Sequence, residues 1–452
     1  MKFGGTSVGT VESLRNVKRI VEAEARPVIV VVSALGGITD KLILTAELAC
    51  EGNQLYRREL EYITERHRII CNELVPAEIR DIVWKRISDL LEELGKVYYG
   101  IELVADVSSK VLDRVVSFGE RMSSTLITSI INDAELHYSP EFILTEKWFG
   151  KHIPDNELTE KLIKDRFSKR PFKVVVMPGF ISSDRDTGVM TNLGRGGSDF
   201  TAALVAAALD ADLLDIWTDV DGFMSADPRI IPEAHVLPKL SFVESMDLCS
   251  FGAKVIYPPT IYPVFRKKIP IYIKNTFNPS APGTYISDNH CECDRLFRGV
   301  TSIKDISLFS IVCQKNTGLS NRIFSLLSKN GVEVLLVARN ADDSSPVTFA
   351  LRKTESDRAE DLLRLEFETE LSSGELSDMH RISNAATVSV VGENLKENPA
   401  LLDRLSYTLQ RENIEVLASA FGSSGITLTV VVKEEDMQSA LQVVHDAYLS
   451  RG

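Results

Sequence analysis

Lys2-Phe-Gly-Gly-Thr-Ser7 combines a cation, two adjacent glycines and two hydroxyls where a strand end reads into a helix. Paired glycines let backbone amides approach an anion, and a helix N-terminus favours negative charge. The lysine precedes the glycines, so this is not a Walker loop. An ordinary glycine turn capped by Ser7 is the competing reading. Leu193-Gly-Arg-Gly-Gly-Ser-Asp199 is a second loop of this kind. Arg195 offers it a fork for a carboxylate. With Gly194, Gly196 and Gly197 all present, a plain helix cap at Asp199 is the weaker account. In Trp217-Thr-Asp-Val-Asp-Gly222, Asp219 and Asp221 suit a hydroxyl, a base, a hydrated Mg²⁺ or simply an Asx turn. Asp227-Pro-Arg229 and Phe251-Gly-Ala-Lys254 add a guanidinium and an ammonium. Ser117-Phe-Gly-Glu-Arg121 sets an acid and a base at an expected helix start; alone, such a pair is more often solvent-exposed. Together these residues point to a nucleoside triphosphate and an anionic second substrate. That is phosphoryl transfer without a Walker motif.

The elements that must position them alternate between strand and helix. Met1 to Phe3 reads as a strand end and Val11 to Glu24 as a helix, with Leu14, Val17 and Val21 on one face. Val28 to Val32 is a β-branched run of the kind buried on both faces of a parallel sheet. Ser33 to Thr39 is a loop, and a helix-rich stretch follows from Lys41 to about Ile131. Lys173 to Met177 and Leu213 to Thr218 are further strands, with a helix over Thr201 to Leu209 between them. Repeated βα units predict an α/β domain with a mainly parallel sheet, whose ligands bind at the carboxyl edge.

Asn278-Pro-Ser-Ala-Pro-Gly283 breaks this pattern. Beyond it, β-α-β-β-α is written twice. The first copy runs from Ser307 to about Thr369 and the second from Thr387 to Tyr448. Each copy is ferredoxin-like, and such a pair after a catalytic domain suggests regulation.

The bulk properties exclude several classes. At 452 residues the chain has room for about three domains. Hydrophobic residues at 44% and charged residues at 25% suit a folded globular protein. With 51 basic against 64 acidic residues the net charge is −13, a poor match for nucleic acid or an anionic membrane. No apolar run approaches the ~20 residues that span a bilayer. Six cysteines do not form a disulfide framework, and Cys291 and Cys293 read as free thiols rather than zinc ligands. A reducing, cytoplasmic location is expected, and the motif at Lys2 leaves no room for a leader peptide.

In order along the chain, Lys2-Phe-Gly-Gly-Thr-Ser7, Val32-Ser-Ala-Leu-Gly-Gly-Ile-Thr39, Ser117-Phe-Gly-Glu-Arg-Met122, Gly179-Phe-Ile181, Leu193 to Asp199, Trp217 to Gly222, Asp227-Pro-Arg229 and Phe251 to Lys254 resemble the aspartokinases of the amino acid kinase superfamily. The tail resembles their tandem ACT domains. Asn275-Thr and Asn278 to Thr284 look most like the threonine-sensitive branch, often fused to a homoserine dehydrogenase for which this chain has no room. The resemblance implies a three-layer amino acid kinase fold over residues 1–295 and ACT-like units over 300–380 and 381–452. It implies phosphorylation of L-aspartate on its side-chain carboxylate by ATP with Mg²⁺, and no metal site built by the protein.

It also implies roles. Arg195 grips the substrate α-carboxylate, and Glu120 pairs with its ammonium. Lys2, with the Gly4 and Gly5 amides, neutralises the transferring phosphoryl group, and Asp199 orients Lys2 or an active-site water. Ser33, Thr39 and Ser198 position aspartate. Lys2, Thr218, Asp219, Met224, Arg229 and Lys254 hold ATP, with Met224 where the family usually carries a tyrosine. Another amino acid kinase, or a non-catalytic amino acid sensor, is the alternative. Residues 117–121 and the tail argue against the first, and intact Lys2, Glu120, Arg195 and Asp199 against the second. An ACT pair also implies a homodimer or higher oligomer with an amino acid effector, threonine or lysine. Lysine-type relatives place an acid near Val334 and a Ser-Glu pair near Arg339-Asn340. Threonine-type relatives place glutamines near Ala338 and Phe421. None of these is matched, so weak inhibition by lysine and at most modest inhibition by threonine are expected.

Overall fold

A computed structural model describes residues 1–148, 151–168, 171–288, 296–312, 318–338, 346–376, 379–398 and 400–449. The chain divides into two compact units. The first holds Met1–Phe223, Pro238–Phe242 and Val255–His290; the second holds Met224–Leu237, Val243–Lys254 and Cys291–Gly452.

In the first unit an eight-stranded sheet runs in the order Lys239–Ser241, Thr284–Ser287, Ile271–Asn275, Leu214–Thr218, Lys2–Phe3, Val28–Val32, Val174–Pro178, Ala134–Leu136. Neighbours are parallel except Ile271–Asn275 with Thr284–Ser287. Lys2 stands in register with Val31 on one side and Ile216 on the other, so the shortest strand lies mid-sheet between two apolar ones. Phe3, Val30, Val32, Val176 and Trp217 pack into one core with Leu14, Val17 and Val21 of the helix Val11–Glu22. Thr10 and Ser13 cap that helix reciprocally, each side chain accepting from the other's backbone N–H.

The helix-rich stretch resolves into Ile38–Cys50, Leu55–Leu74, Ala77–Val104 and Ser109–Ile130. Ser117 to Arg121 lies in the middle of the last, not at its start. The loop entering that helix ends at Ser108, whose side chain accepts from the Val111 N–H. A four-stranded sheet that the sequence pattern did not reveal orders Lys151–Pro154, Leu144–Trp148, Ile181–Asp184 and Met190–Asn192. Its last strand delivers the chain into Leu193–Asp199.

The second unit is built on a six-stranded antiparallel sheet: Val334–Ala338, Val347–Arg352, Gly299–Ile311, His380–Val391, Thr427–Lys433, Ala418–Phe421. The sequence places the first strands of the two repeats at Ser307 and Thr387; both begin earlier. Gly299 to Ile303 pairs with Thr387 to Val391, so the second repeat takes its fourth strand from residues ahead of the first. A register shift between Ile303 and Ile306, with Asp305 at φ 56°, marks where the strand passes between repeats. Polar Lys304-Asp305 at that kink disguises a continuous strand as a loop. Each repeat has its own core, one around Phe309, Phe349 and Leu363, the other around Val388, Leu405 and Val444.

Candidate active site

The strand Lys2–Phe3 ends at the Gly4-Gly5 turn, where the Gly4 N–H donates to the Trp217 carbonyl at 3.2 Å. Phe3 stacks on Trp217, with ring centroids 5.9 Å apart. Lys2 is nine-tenths buried, and its Nζ lies 2.8 Å from Asp199 Oδ1. The two sequence-predicted loops therefore meet: Lys2 comes from a strand end and Asp199 from the first turn of the helix Gly197–Ala208. A Cβ on Gly4 would stand 3.4 Å from Lys2 Nζ, so the glycine leaves the ammonium accessible from the loop.

Gly196 caps that helix at φ 70°, a left-handed conformation that costs glycine little. A side chain there would also meet Tyr257 at 2.9 Å. Arg195, next to it, is exposed with its guanidinium 5.7 Å from the Tyr257 ring. The loop is braced from behind, since the Gly194 N–H donates to Asn192 Oδ1 at 2.8 Å and Asn192 Nδ2 donates to Asp113 at 2.6 Å.

Ser33 follows the strand Val28–Val32, and its hydroxyl donates to Ser198 Oγ at 3.0 Å. Its carbonyl accepts from Ser123 Oγ at 2.8 Å, a contact with no separate sequence signal. Thr39 is half-buried in the first turn of Ile38–Cys50.

Glu120 departs most from the surface pair that its sequence allows. It is 3% exposed, and its Oε1 accepts from the Ala34 N–H at 3.0 Å. Its Oε2 has no hydrogen-bond partner among the described residues. Burial raises its carboxyl pKa to about 8, against the lowering effect of the Ala34 hydrogen bond. Arg121 points elsewhere: it pairs with Glu93 at 3.3 Å and lies over the Phe118 ring at 4.6 Å. Gly119 allows the approach, because a Cβ there would stand 2.7 Å from Ala34 Cβ. The helix thus presses against the Ser33–Ala34 turn and points at it an acid with one oxygen bonded and one without a partner among the described residues.

Thr218 donates to Asp219 at 3.1 Å, and its carbonyl accepts from the Thr276 N–H. Asp221 accepts from Asn275 at 2.7 Å and Asn278 at 3.2 Å, which joins the acidic loop to the Asn275–Asn278 segment. Met224, Arg229 and Lys254 fall in the second unit. There Met224 is half-buried, Lys254 is exposed, and Arg229 makes a two-pronged contact to Asp227 at 2.9 and 2.7 Å. Arg229 therefore has a partner two residues away, which its sequence motif does not announce.

Among the described residues no three His, Cys, Asp or Glu side chains gather as metal ligands, and no helix is long and apolar enough to cross a membrane. Cys50, Cys71 and Cys249 are not in disulfides; Cys291 and Cys293 lie outside the described residues.

The arrangement offers a buried ammonium–carboxylate pair, glycine amides, hydroxyls and an acid that lacks a cation. It can hold an anion that gains charge and an amino group beside it. Residues 1–275 match the model of the amino acid kinase family, and residues 388–448 match an ACT domain. A bifunctional aspartokinase/homoserine dehydrogenase of Arabidopsis thaliana is 32% identical over all of this chain and half of its own length. Aspartokinase 1 of the same plant is 28% identical over all of this chain and 80% of its own. The chain spans about half the length of the bifunctional relatives it matches. Escherichia coli aspartokinase III, solved with aspartate and ADP, superimposes with a TM-score of 0.83 at 29% identity over 98% of both chains. The Clostridium acetobutylicum aspartate kinase gives 0.78 at 26%, covering 99% of this chain and 98% of that one.

Proposed function

We propose that this chain, which belongs to the amino acid kinase family, is an aspartate kinase that transfers the γ-phosphate of ATP to the side-chain carboxylate of L-aspartate. The observation that carries the reading is Glu120. A carboxyl 3% exposed, with Oε1 on the Ala34 N–H and Oε2 without a hydrogen-bond partner among the described residues, is a receptor for a cation, whose arrival offsets the burial that raises its pKa. A free α-ammonium supplies one. N-acetylglutamate has none, and a sensor without catalysis would not need the Lys2–Asp199 pair.

The substrate carboxylate, with a pKa of ~3.9, is already an ionised nucleophile at pH 7 and needs no general base. Its oxygen attacks the γ-phosphorus as the bond to the β-phosphate oxygen breaks, giving 4-phospho-L-aspartate and ADP. Lys2 and the Gly5 amide face the phosphoryl group as charge spreads over its oxygens, while the Gly4 N–H, expected to join them, is held by the Trp217 carbonyl at 3.2 Å, and Asp199 fixes Lys2. Arg195 takes the α-carboxylate; Ser33, Thr39 and Ser198 align the substrate. Thr218, Asp219, Met224, Arg229 and Lys254 serve ATP. Arg229 must exchange its contact to Asp227 for a phosphate to do so. The loops present amides, hydroxyls and cations, a donor set for phosphate oxygens. Mg²⁺ enters on the triphosphate as part of the substrate.

We assign catalysis to residues 1–295 and regulation by threonine or lysine to 300–380 and 381–452, in a homodimer or larger oligomer. The match of residues 388–448 to an ACT domain supports the regulatory assignment, and cysteines outside disulfides at Cys50, Cys71 and Cys249 support a cytoplasmic setting. ATP-dependent ADP release with L-aspartate, L-glutamate and N-acetylglutamate as acceptors tests the reading. Release should require L-aspartate, and preference for either other acceptor would overturn it.

A further inference from the structure

Between the Gly4–Gly9 turn and the Leu35–Gly37 turn the two backbones touch without side chains. A Cβ on Gly36 would stand 3.0 Å from the Gly5 carbonyl oxygen, and one on Gly9 would stand 3.2 Å from the same atom. A Cβ on Gly5 would stand 3.3 Å from the Ala34 carbonyl oxygen. Three glycines thus form a junction between the turn that follows Lys2 and the turn that follows Ser33. The two segments are joined where they leave the sheet, by the Ser33 N–H donating to the Phe3 carbonyl at 3.2 Å; beyond that bond the glycine contacts are van der Waals in kind.

A second tie comes from a helix outside both. Arg66 stands half-buried on Leu55–Leu74. Its Nη2 donates to the Gly9 carbonyl at 2.7 Å and, at a longer 3.5 Å, to the Gly36 carbonyl. Its Nη1 donates to Tyr62 Oη at 3.0 Å. Among the described residues it has no carboxylate partner, so this guanidinium is satisfied chiefly by carbonyls of the two loops. Both contacts come from Nη2, which carries two N–H donors, while Nη1 is held on Tyr62 and fixes the plane of the group; a lysine ammonium has no second nitrogen to be fixed in this way.

We infer that Arg66 is a positioning residue that holds the phosphate-side loop and the acceptor-side loop in register across the Gly5–Gly9–Gly36 junction. The inference rests on the function proposed above. Each loop keeps its own anchors, Gly4 on Trp217 and Ser33 on Ser198, so either substrate still binds when Arg66 is lost. What suffers is the alignment of donor and acceptor, a term of catalysis that appears in turnover rather than in binding.

The test compares Arg66→Ala and Arg66→Lys with the wild type. Arg66→Ala should lower kcat by about 10- to 100-fold with both KM values within about threefold, the signature of misalignment. Millimolar guanidinium chloride should restore part of the Arg66→Ala rate, and Arg66→Lys should fall between. Hydrogen exchange without substrate should show peptides over residues 3–9 and 33–38 opening together in Arg66→Ala. Unchanged kcat, a loss that follows the folded fraction by circular dichroism, or exchange that rises in one loop alone would overturn the inference. A wild type inactive on L-aspartate would instead sink the proposed function, while the exchange experiment still decides the role of Arg66.

Discussion

The parallel sheet of the first unit and the antiparallel sheet of the second use their exposed ends differently. At one edge of the parallel sheet, strand ends deliver Lys2, Ser33 and Thr218 into glycine-rich turns, where the proposed chemistry falls to backbone amides and a few charges. In the antiparallel sheet the outer strands present Val334 and Ala338 on one side and Phe421, 52% exposed, on the other. The first kind of site needs particular residue types at fixed backbone positions, whereas the second needs only side chains that suit one ligand. A catalytic edge is therefore constrained, and a regulatory edge can drift while its fold survives.

If that contrast is right, the largest effect comes from the catalytic edge. Lys2→Ala should lower kcat by ~100-fold or more, the scale of one lost preorganised electrostatic contact. Steady-state turnover at saturating substrates checks it, and near-normal turnover would remove Lys2 from the transition state.

Glu120→Ala should weaken aspartate binding by about 2–3 kcal/mol, read as a raised KM for aspartate with little change for ATP. A shift in the ATP KM alone would contradict the assignment. The pH dependence sharpens this. With its folded pKa raised to about 8, free Glu120 is protonated at pH 7, and an arriving ammonium must drive its ionisation. The KM for aspartate should accordingly rise as pH falls below about 8, and Glu120→Gln should flatten that slope. Stability carries the matching sign: a raised acid pKa costs stability progressively between the unfolded value of about 4.5 and about 8. Thermal melts of wild type and Glu120→Gln should diverge as pH rises through that window.

The smallest effect is expected from the regulatory sheet. Val334, Ala338 and Phe421 carry no charge or amide for an effector, and Arg339-Asn340 lie outside the described residues. Effector coupling is typically only ~1–3 kcal/mol, so losing one or two polar contacts abolishes it. Titrating kinase activity with millimolar lysine and threonine should give weak or no inhibition by lysine and at most modest inhibition by threonine. Strong inhibition by either one alone would break the contrast between the two edges.

The same contrast governs what could be read from the residues alone. The Lys2 and Leu193–Asp199 loops were legible because glycines beside charges have few other uses. Glu120 was misplaced at a helix start, because Val115 to Glu120 are all buried and so show no amphipathic period. Its depth depends on Gly119 meeting Ala34, a contact 85 residues apart in sequence. The commitment of Arg229 to Asp227 and the bracing of Ser33 by Ser123 are likewise side-chain choices with no pattern of their own. The strand exchange between repeats was hidden at Lys304-Asp305 because a kinked strand with charges reads as a loop.

The most direct measurement traps the product. An acyl phosphate reacts with hydroxylamine to give a hydroxamate, which mass spectrometry identifies. With ATP and L-aspartate the wild type should form aspartate β-hydroxamate at a rate matching ADP release, and with L-glutamate little or none. ADP release without hydroxamate, or a hydroxamate formed preferentially from glutamate, would contradict the account.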